Sequence, residues 1–336
     1  MYVLLYNFVR RSPFFSYLFH RVFQGKWLNE FPPYLLLYRK LIARRARRWL
    51  VRPPFLEFTL TDMCNARCVM CPPEVHMGKT LMDRDLFEKA AREGAALGIR
   101  KAILTGGEPL LDPGVAEKIG FLKRIGYDYV HMFTNGQLLS REKSERLIKA
   151  GLDSLTVSID SVVRDEYRKI RIGLDYDTVM GNIRAFPAVR KALGSAKPLF
   201  RINRVNIMQN QDSAKEYLRE LDGAADIVEL MDAHNFGGKK GRVYEKGRLY
   251  SQERRFPCNL IFQKLVLSPH GDFKKCSIDM SSSTALLGNI RDRSMAEVLD
   301  GEYRRIKETL LRYDWNVDGC RNCTHKQSWW ADWDLR

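Results

Sequence analysis

The sequence predicts an α/β fold in which six parallel strands and their intervening helices form an α/β sheet or an open barrel, followed by a small C-terminal α+β extension. Three observations carry this. Short apolar, β-branched runs alternate with stretches whose charged and apolar residues recur at helical spacing. Four of those runs end in polar or cysteine-bearing turns. The cysteines fall in two groups, one just after the first run and one in the last quarter of the chain. With 336 residues, 45% hydrophobic and 29% charged, the chain can bury a substantial core and is too apolar to be disordered.

The predicted strands are 56–61, 101–105, 129–134, 154–159, 199–205 and 227–231, with helices near 83–97, 113–125, 141–150, 176–192 and 211–221. Helical crossovers cover a parallel sheet on both faces or on its outside, so functional residues belong at the C-terminal strand ends. The motifs stand there. The first strand runs into Cys64-Asn-Ala-Arg-Cys68-Val-Met-Cys71, the second into Gly106-Gly107-Glu108-Pro109, the third into Thr134-Asn135-Gly136, and the fourth ends Ser158-Ile159-Asp160.

Charge is unevenly placed. Of a net +16, ten charges come from residues 1–55, where Glu30 is the sole acid. That pattern fits an adhesive N-terminal segment on a near-neutral body, and with no zinc-finger, RNP or homeodomain signature it disfavours a nucleic-acid partner. The apolar runs before residue 50 are too short to cross a bilayer. Aromatics and leucines beside Arg39-Lys40 and Arg44-Arg45-Ala-Arg47-Arg48 fit two readings, an anchor on an anionic membrane surface or helices packed on the body with solvated arginines. The N-terminus has its apolar residues ahead of its arginines, the reverse of a secretory signal, which points to a cytoplasmic protein, peripheral on the inner membrane face if the anchor reading holds. In that compartment clustered cysteines mean metal or redox chemistry.

Three thiolates in C-x3-C-x2-C cannot close the four-ligand shell of a structural zinc ion without a distant partner, for which His76 is the nearest candidate. They can hold three irons of a 4Fe-4S cluster and leave the fourth open. The other four, Cys258, Cys276, Cys320 and Cys323, form C-x17-C-x43-C-x2-C, a closed four-thiolate set that suits zinc or a second cluster.

Together, the Cys64/Cys68/Cys71 loop, GGEP, TNG and SID resemble the radical S-adenosylmethionine (SAM) superfamily. The resemblance implies a partial (β/α)6 barrel, a SAM-binding 4Fe-4S cluster on Cys64, Cys68 and Cys71, and an external one-electron donor of flavodoxin or ferredoxin type. It implies SAM contacts from Gly106, Gly107, polar groups around Glu108, and Asn135, ribose contacts from Ser158 and Asp160, and a clamp by Arg171 on the methionine carboxylate. The position before the third cysteine, often aromatic in the family, is Met70 here, whose thioether can still pack on adenine. The C-terminal cysteines, with a hairpin turn at Ser268–Asp272 and a helix at 294–311, resemble the SPASM and twitch extensions, which implies an auxiliary 4Fe-4S cluster. The expected organisation is a basic segment 1–52, a barrel 53–245 and a cluster extension 246–336. Trp329, Trp330 and Trp333 are expected over the auxiliary cluster.

The expected function is reductive cleavage of SAM to a 5'-deoxyadenosyl radical and abstraction of a substrate hydrogen. A dehydrogenase acting on a sugar-like, cyclitol-like or envelope-linked glycan substrate, with the auxiliary cluster as electron acceptor, resembles 2-deoxy-scyllo-inosamine dehydrogenase. The alternatives are a peptide maturase of the sactionine or sulfatase-maturase type, an epimerase, and, outside enzymes, an iron-sulfur electron carrier.

Overall fold

The computed structural model describes residues 40, 42–44, 46–72, 78–236, 257–279, 287–323 and 325. Its centre is an eight-stranded sheet in the order β6-β5-β4-β3-β2-β1-β7-β8. The strands are β1 Phe55–Thr61, β2 Lys101–Gly106, β3 Tyr129–Thr134, β4 Ser154–Ser158, β5 Leu199–Asn206, β6 Ile227–Asp232, β7 Lys264–Leu267 and β8 Phe273–Lys274. The six predicted strands are β1 to β6, each parallel to the next. Helices α1 Arg84–Ala96, α2 Val115–Arg124, α3 Arg141–Lys149, α4 Arg164–Ile170, α5 Tyr176–Ala192 and α6 Ala214–Glu220 connect them, giving the partial (β/α)6 barrel.

Period-two alternation divides each strand into two faces. Leu56, Phe58, Leu104, Met132, Leu155 and Phe200 are fully buried against the helices, with Phe58 packed 4.6 Å from Phe87 of α1 and Phe200 4.6 Å from Phe186 of α5. Each such side chain contributes roughly 1.5–3 kcal/mol relative to exposure. The other, concave face carries Glu57, His131, Thr156, Arg201, Asn203 and Glu229. Helix starts follow from their caps, as where Asp83 accepts from the N–H groups of Asp85 and Leu86 at 2.7 and 3.0 Å.

Helix α4 was not predicted, because its seven charged-rich residues bury Tyr167 and Ile170 alone, too few to show a period. The helix expected at 294–311 is two, α8 Met295–Asp300 and α9 Glu302–Leu311, broken at Gly301. The hairpin expected around 268–272 is present as β7 and β8. It is not a detached element. β7 pairs in parallel with β1, Phe55 opposite Lys264, so the extension continues the barrel sheet.

Residues 1–39, His76, Trp329, Trp330 and Trp333 lie outside the described residues. From residue 40 onward the basic segment packs on the body: Ile42 and Ala46 are buried in the core, while Lys40, Arg44, Arg47 and Arg48 are exposed. The buried Lys307 of α9 donates to the carbonyls of Trp49 and Leu50 at 2.9 and 3.2 Å, and Arg52 pairs with Asp300 at 3.0 Å. No helix among the described residues is long and apolar enough to cross a membrane.

Lys307 yields a pH prediction. Burial, with Arg52 nearby, pushes its ammonium down from its ordinary 10.5 to about 7. Between those values the unfolded chain binds the extra proton, so this residue's contribution to stability rises with pH from about 7 toward 10.5. Calorimetry should find the melting temperature of the wild type climbing over this range relative to Lys307→Met. Parallel pH profiles for the two proteins would refute the argument.

Candidate active site

The cysteine loop begins where β1 ends and is fixed by backbone bonds rather than by its thiols. Gly107 N–H donates to Thr61 O at 2.7 Å and Glu108 N–H to Met63 O at 2.8 Å. Arg67 N–H donates to Ile172 O at 2.8 Å and Val69 N–H to Ile170 O at 3.0 Å, so the segment after α4 lies along the loop. The Asn135 amide donates to Asn65 Oδ1 at 2.7 Å, tying the end of β3 to the same loop. Three strand-end motifs and the segment after α4 therefore meet at Cys64–Cys71.

The two glycines are required by this meeting. A Cβ on Gly107 would lie 1.8 Å from Met63 O, and one on Gly106, whose φ is +143°, would lie 2.4 Å from Thr61 O. Sequence reasoning expected these glycines to admit a ligand; the space they free is filled by the loop's own backbone. Glu108 is 1% exposed, and its carboxylate accepts from Leu110 N–H, Thr134 Oγ1 and Asn135 N–H at 3.0, 2.7 and 2.7 Å. Burial pushes its pKa up against those donors. The side chain joins the second and third turns, and the backbone polar groups around it are what the site can offer a ligand.

Ser158 is half-buried at the tip of β4. Asp160 is fully enclosed, pairing through Oδ2 with Arg171 Nε and accepting from Val205 N–H on Oδ1 at 2.8 Å. Both of its oxygens are thus engaged by protein. Arg171 is 7% exposed, and its positive charge acts on Cys68. The Cys71 hydrogen bond, ahead of the Arg171 charge, brings the Cys68 thiol down to about 7, and the same bond with burial pushes Cys71 up. Burial likewise raises Cys64. Bare thiolates are costly in such a place, and bound iron removes that cost by deprotonating the sulfurs outright. The donor set therefore fits an iron cluster.

Sequence reasoning missed the floor between the strands. On the concave face Lys264 pairs with Glu57 at 2.9 Å, which also accepts from Ser277 Oγ at 2.8 Å. Arg201 pairs with Glu229 at 2.8 Å, and Thr156 Oγ1 lies 3.2 Å from His131 Nε2. Burial, then the charges of Arg201 and Lys264, hold His131 well below its usual range and so neutral. Asn203 and the 38%-exposed Met231 rise above this floor beside Ser158. The period-two spacing of Tyr129, His131 and Phe133, and of Arg201, Asn203 and Val205, was the signal available for these residues.

The second cysteine set forms at the other end of β1. Tyr303 Oη bonds the carbonyls of Ile261, Lys264 and Lys275, which gathers the end of α7 (Asn259–Gln263), the start of β7 and the end of β8. Cys258 precedes α7, Cys276 follows Lys275, and both sense the charges of Cys320 and other members of the set. Burial raises Cys258, Cys276 and Cys320, the last to about 12. Lys275 and Asp279 form a buried pair beside them at 2.8 Å, and Asn235 Nδ2 donates to Asn322 O at 2.8 Å, docking the final cysteine loop after β6. Among the described residues no three Cys, His, Asp or Glu side chains are drawn close enough to grip a single ion. Four thiols are a donor set that suits an iron-sulfur cluster, and they gather toward the start of β1, whose seven residues run on the order of 20 Å to the end from which the three-cysteine loop departs.

Comparison with known proteins agrees with this division. A family model described as the radical SAM superfamily matches residues 58–192, and SPASM, described as an iron-sulfur cluster-binding domain, matches 258–324. A probable GTP 3',8-cyclase of Saccharolobus solfataricus is 37% identical over 289 residues, covering 76% of this chain and 90% of its own. A GTP 3',8-cyclase of Clostridium botulinum is 28% identical over 247 residues, 71% of this chain and 70% of its own. Among solved structures, BtrN in complex with AdoMet and 2-DOIA aligns with a TM-score of 0.56 at 16% identity, covering 82% of this chain and 97% of that one. Streptococcus suis SuiB bound to precursor peptide SuiA aligns at 0.63 and 13% identity, covering 85% and 73%. At these identities the structural likenesses establish the fold. The cyclase relatives add a reaction that the strand-end motifs had not brought forward.

Proposed function

The chain belongs to the radical SAM superfamily, and from that membership we propose that it dehydrogenates a hydroxylated, sugar-like or cyclitol-like substrate held over the concave polar floor. Its cofactors are SAM and two iron-sulfur clusters. When bound, these supply a 5'-deoxyadenosyl radical that takes a substrate hydrogen, and, at the auxiliary cluster, an acceptor for the electron left behind.

Cys64, Cys68 and Cys71 hold the first cluster and Cys258, Cys276, Cys320 and Cys323 the second. Backbone carbonyls at Gly106 to Glu108 accept from the SAM ammonium, Asn135 and Ser158 face its polar edge, and the guanidinium NH2 groups of Arg171 clamp its carboxylate. Asp160, expected as a ribose contact, acts instead by orienting Arg171, since its own oxygens are engaged. His131, neutral and bonded to Thr156, together with Arg201, Glu229 and Asn203, offers the paired donors and acceptors that orient a polyhydroxylated ring.

The observation that carries this reading is the second site: four thiols leave no open ligand position for substrate, and the polar floor lies between it and the cysteine loop. A second reading, cyclisation of GTP, is favoured by the 37% identity across 90% of the Saccharolobus protein. Against it, a triphosphate calls for unspent cations, whereas Arg201 and Lys264 are each matched by a carboxylate. Anaerobic turnover with SAM and dithionite separates them. An aminocyclitol losing two hydrogens supports dehydrogenation; conversion of GTP to a 3',8-cyclised product, with cyclitols untouched, would establish the second reading in its place.

A further inference from the structure

The basic stretch ahead of the barrel is a sequence feature that the proposed reaction leaves unused. Residues 40, 42–44 and 46–48 are helical. Ile42 and Ala46, four positions apart, are 2% and 0% exposed and lie in the core, whereas Lys40, Arg44, Arg47 and Arg48 are all exposed. At 3.6 residues per turn these four basic positions fall within about 100° of arc, on the side of the helix turned away from Ile42 and Ala46. The chain that follows is pinned as well, by the bonds of the buried Lys307 to the carbonyls of Trp49 and Leu50 and by the pairing of Arg52 with Asp300. The basic face is therefore held in one orientation on the body. Its charges are also unspent. Arg84, Arg141, Arg164 and Arg304, exposed on other helices, are each matched by a carboxylate, from Glu88, Glu145, Asp177 and Glu308 in turn. Lys40, Arg44, Arg47 and Arg48 form no ion pair among the described residues, and Glu30 is the sole acid within residues 1–55.

We propose that this face, Lys40, Arg44, Arg47 and Arg48 together, docks the protein on the surface of a bilayer that contains anionic phospholipid. Such a membrane presents its negative charge as a plane, and four cations on one side of a fixed helix meet it at once, each multiplying the partition onto it about fivefold. Lasting attachment takes a second, apolar contribution. The sequence just ahead has the composition for one, with Phe14, Phe15, Phe19, Phe23, Trp27 and Leu28 standing among Arg21 and Lys26. That apolar share favours lipid over nucleic acid, whose phosphates call for cations. The proposal stands whichever reaction the two cysteine sites perform.

The test is sedimentation of the cluster-loaded full chain with phosphatidylcholine vesicles that either contain or lack phosphatidylserine. The wild type should sediment with the anionic vesicles and not with the neutral ones, and should dissociate as salt is raised. In Arg44→Gln/Arg47→Gln/Arg48→Gln the partition coefficient should fall on the order of a hundredfold, and in Lys40→Gln/Arg44→Gln about 25-fold. The replaced side chains are exposed, so the melting temperature and the iron content should match the wild type; should the triple variant melt lower, the double supplies the comparison. The control Lys149→Gln/Lys191→Gln/Lys215→Gln removes the same charge from exposed positions on α3, α5 and α6 and should bind as the wild type does. Equal binding to both kinds of vesicle, full retention by the variants, an equal loss in the control, or no binding by the wild type would each overturn the proposal. Wild type left free by the anionic vesicles but held by duplex DNA, with that hold lost in the triple variant, would overturn it too and assign the face to nucleic acid.

Discussion

A chain with Cys64, Cys68 and Cys71 all replaced by alanine is expected to fold, to keep its second cluster, and to yield no 5'-deoxyadenosine from SAM. The reason it should fold is that the loop does not depend on sulfur. Its contacts are the bonds to Gly107, Glu108, Ile170, Ile172 and Asn135 described above, every one of them made by backbone or amide groups. Cys68 is buried and Cys64 and Cys71 are half-buried, so truncating these three small side chains to alanine costs little packing. Iron should fall from about eight to about four per chain, because a cubane on four cysteines persists at the other end of β1. Circular dichroism, iron analysis and chromatography of the SAM products check the three parts separately. Cleavage of SAM by the triple variant would sink the assignment of the loop, and loss of all iron would show that the two cysteine sites depend on each other.

The strand-end motifs were legible because each is a local solution to a local demand: a turn that needs glycine, a loop that needs thiols, a helix that needs a cap. Six strands and the faces of their helices followed from short-range periodicity for the same reason. The pairing of β7 with β1 was not legible, since its partners are some two hundred residues apart and the five-residue helix α7 before β7 carries no periodic signal. The concave floor was obscured differently. Parallel strands are covered on both faces, so β-runs read as apolar overall, and His131 or Arg201 looks like an interruption rather than the second face. The roles of Gly107 and Asp160 turned on what occupies the adjoining space. A GG pair can admit a ligand or a neighbouring backbone, and only the Met63 carbonyl at 1.8 Å from the Gly107 Cβ position decides which. Asp160 follows Ser158 by two residues, which on a continuing strand would place both on one face; β4 ends at Ser158, and the chain beyond it turns the carboxylate inward to Val205 and Arg171.

The Asp160–Arg171 pair gives the second large expected effect and separates structure from ligand binding. Arg171→Met leaves the Asp160 carboxylate enclosed without its cation, which typically costs about 3–5 kcal/mol. Asp160→Asn/Arg171→Met removes both charges, and the amide oxygen can still accept from Val205 N–H, so most of that loss should be recovered in the melting temperature. Binding of SAM should not recover with it. If the guanidinium clamps the SAM carboxylate, the double variant lacks a charge-assisted bond of about 1.5–3 kcal/mol, a rise of roughly 10- to 100-fold in the apparent KM for SAM. A purely structural Arg171 predicts the opposite split, with stability and SAM affinity restored together. The order of the two single variants adds a further constraint. Asp160→Asn keeps the guanidinium but frees it from its anchor, and loosening a positioned cation should weaken SAM binding less than deleting it. An Asp160→Asn enzyme as defective toward SAM as Arg171→Met, at equal stability, would return Asp160 to the ligand itself.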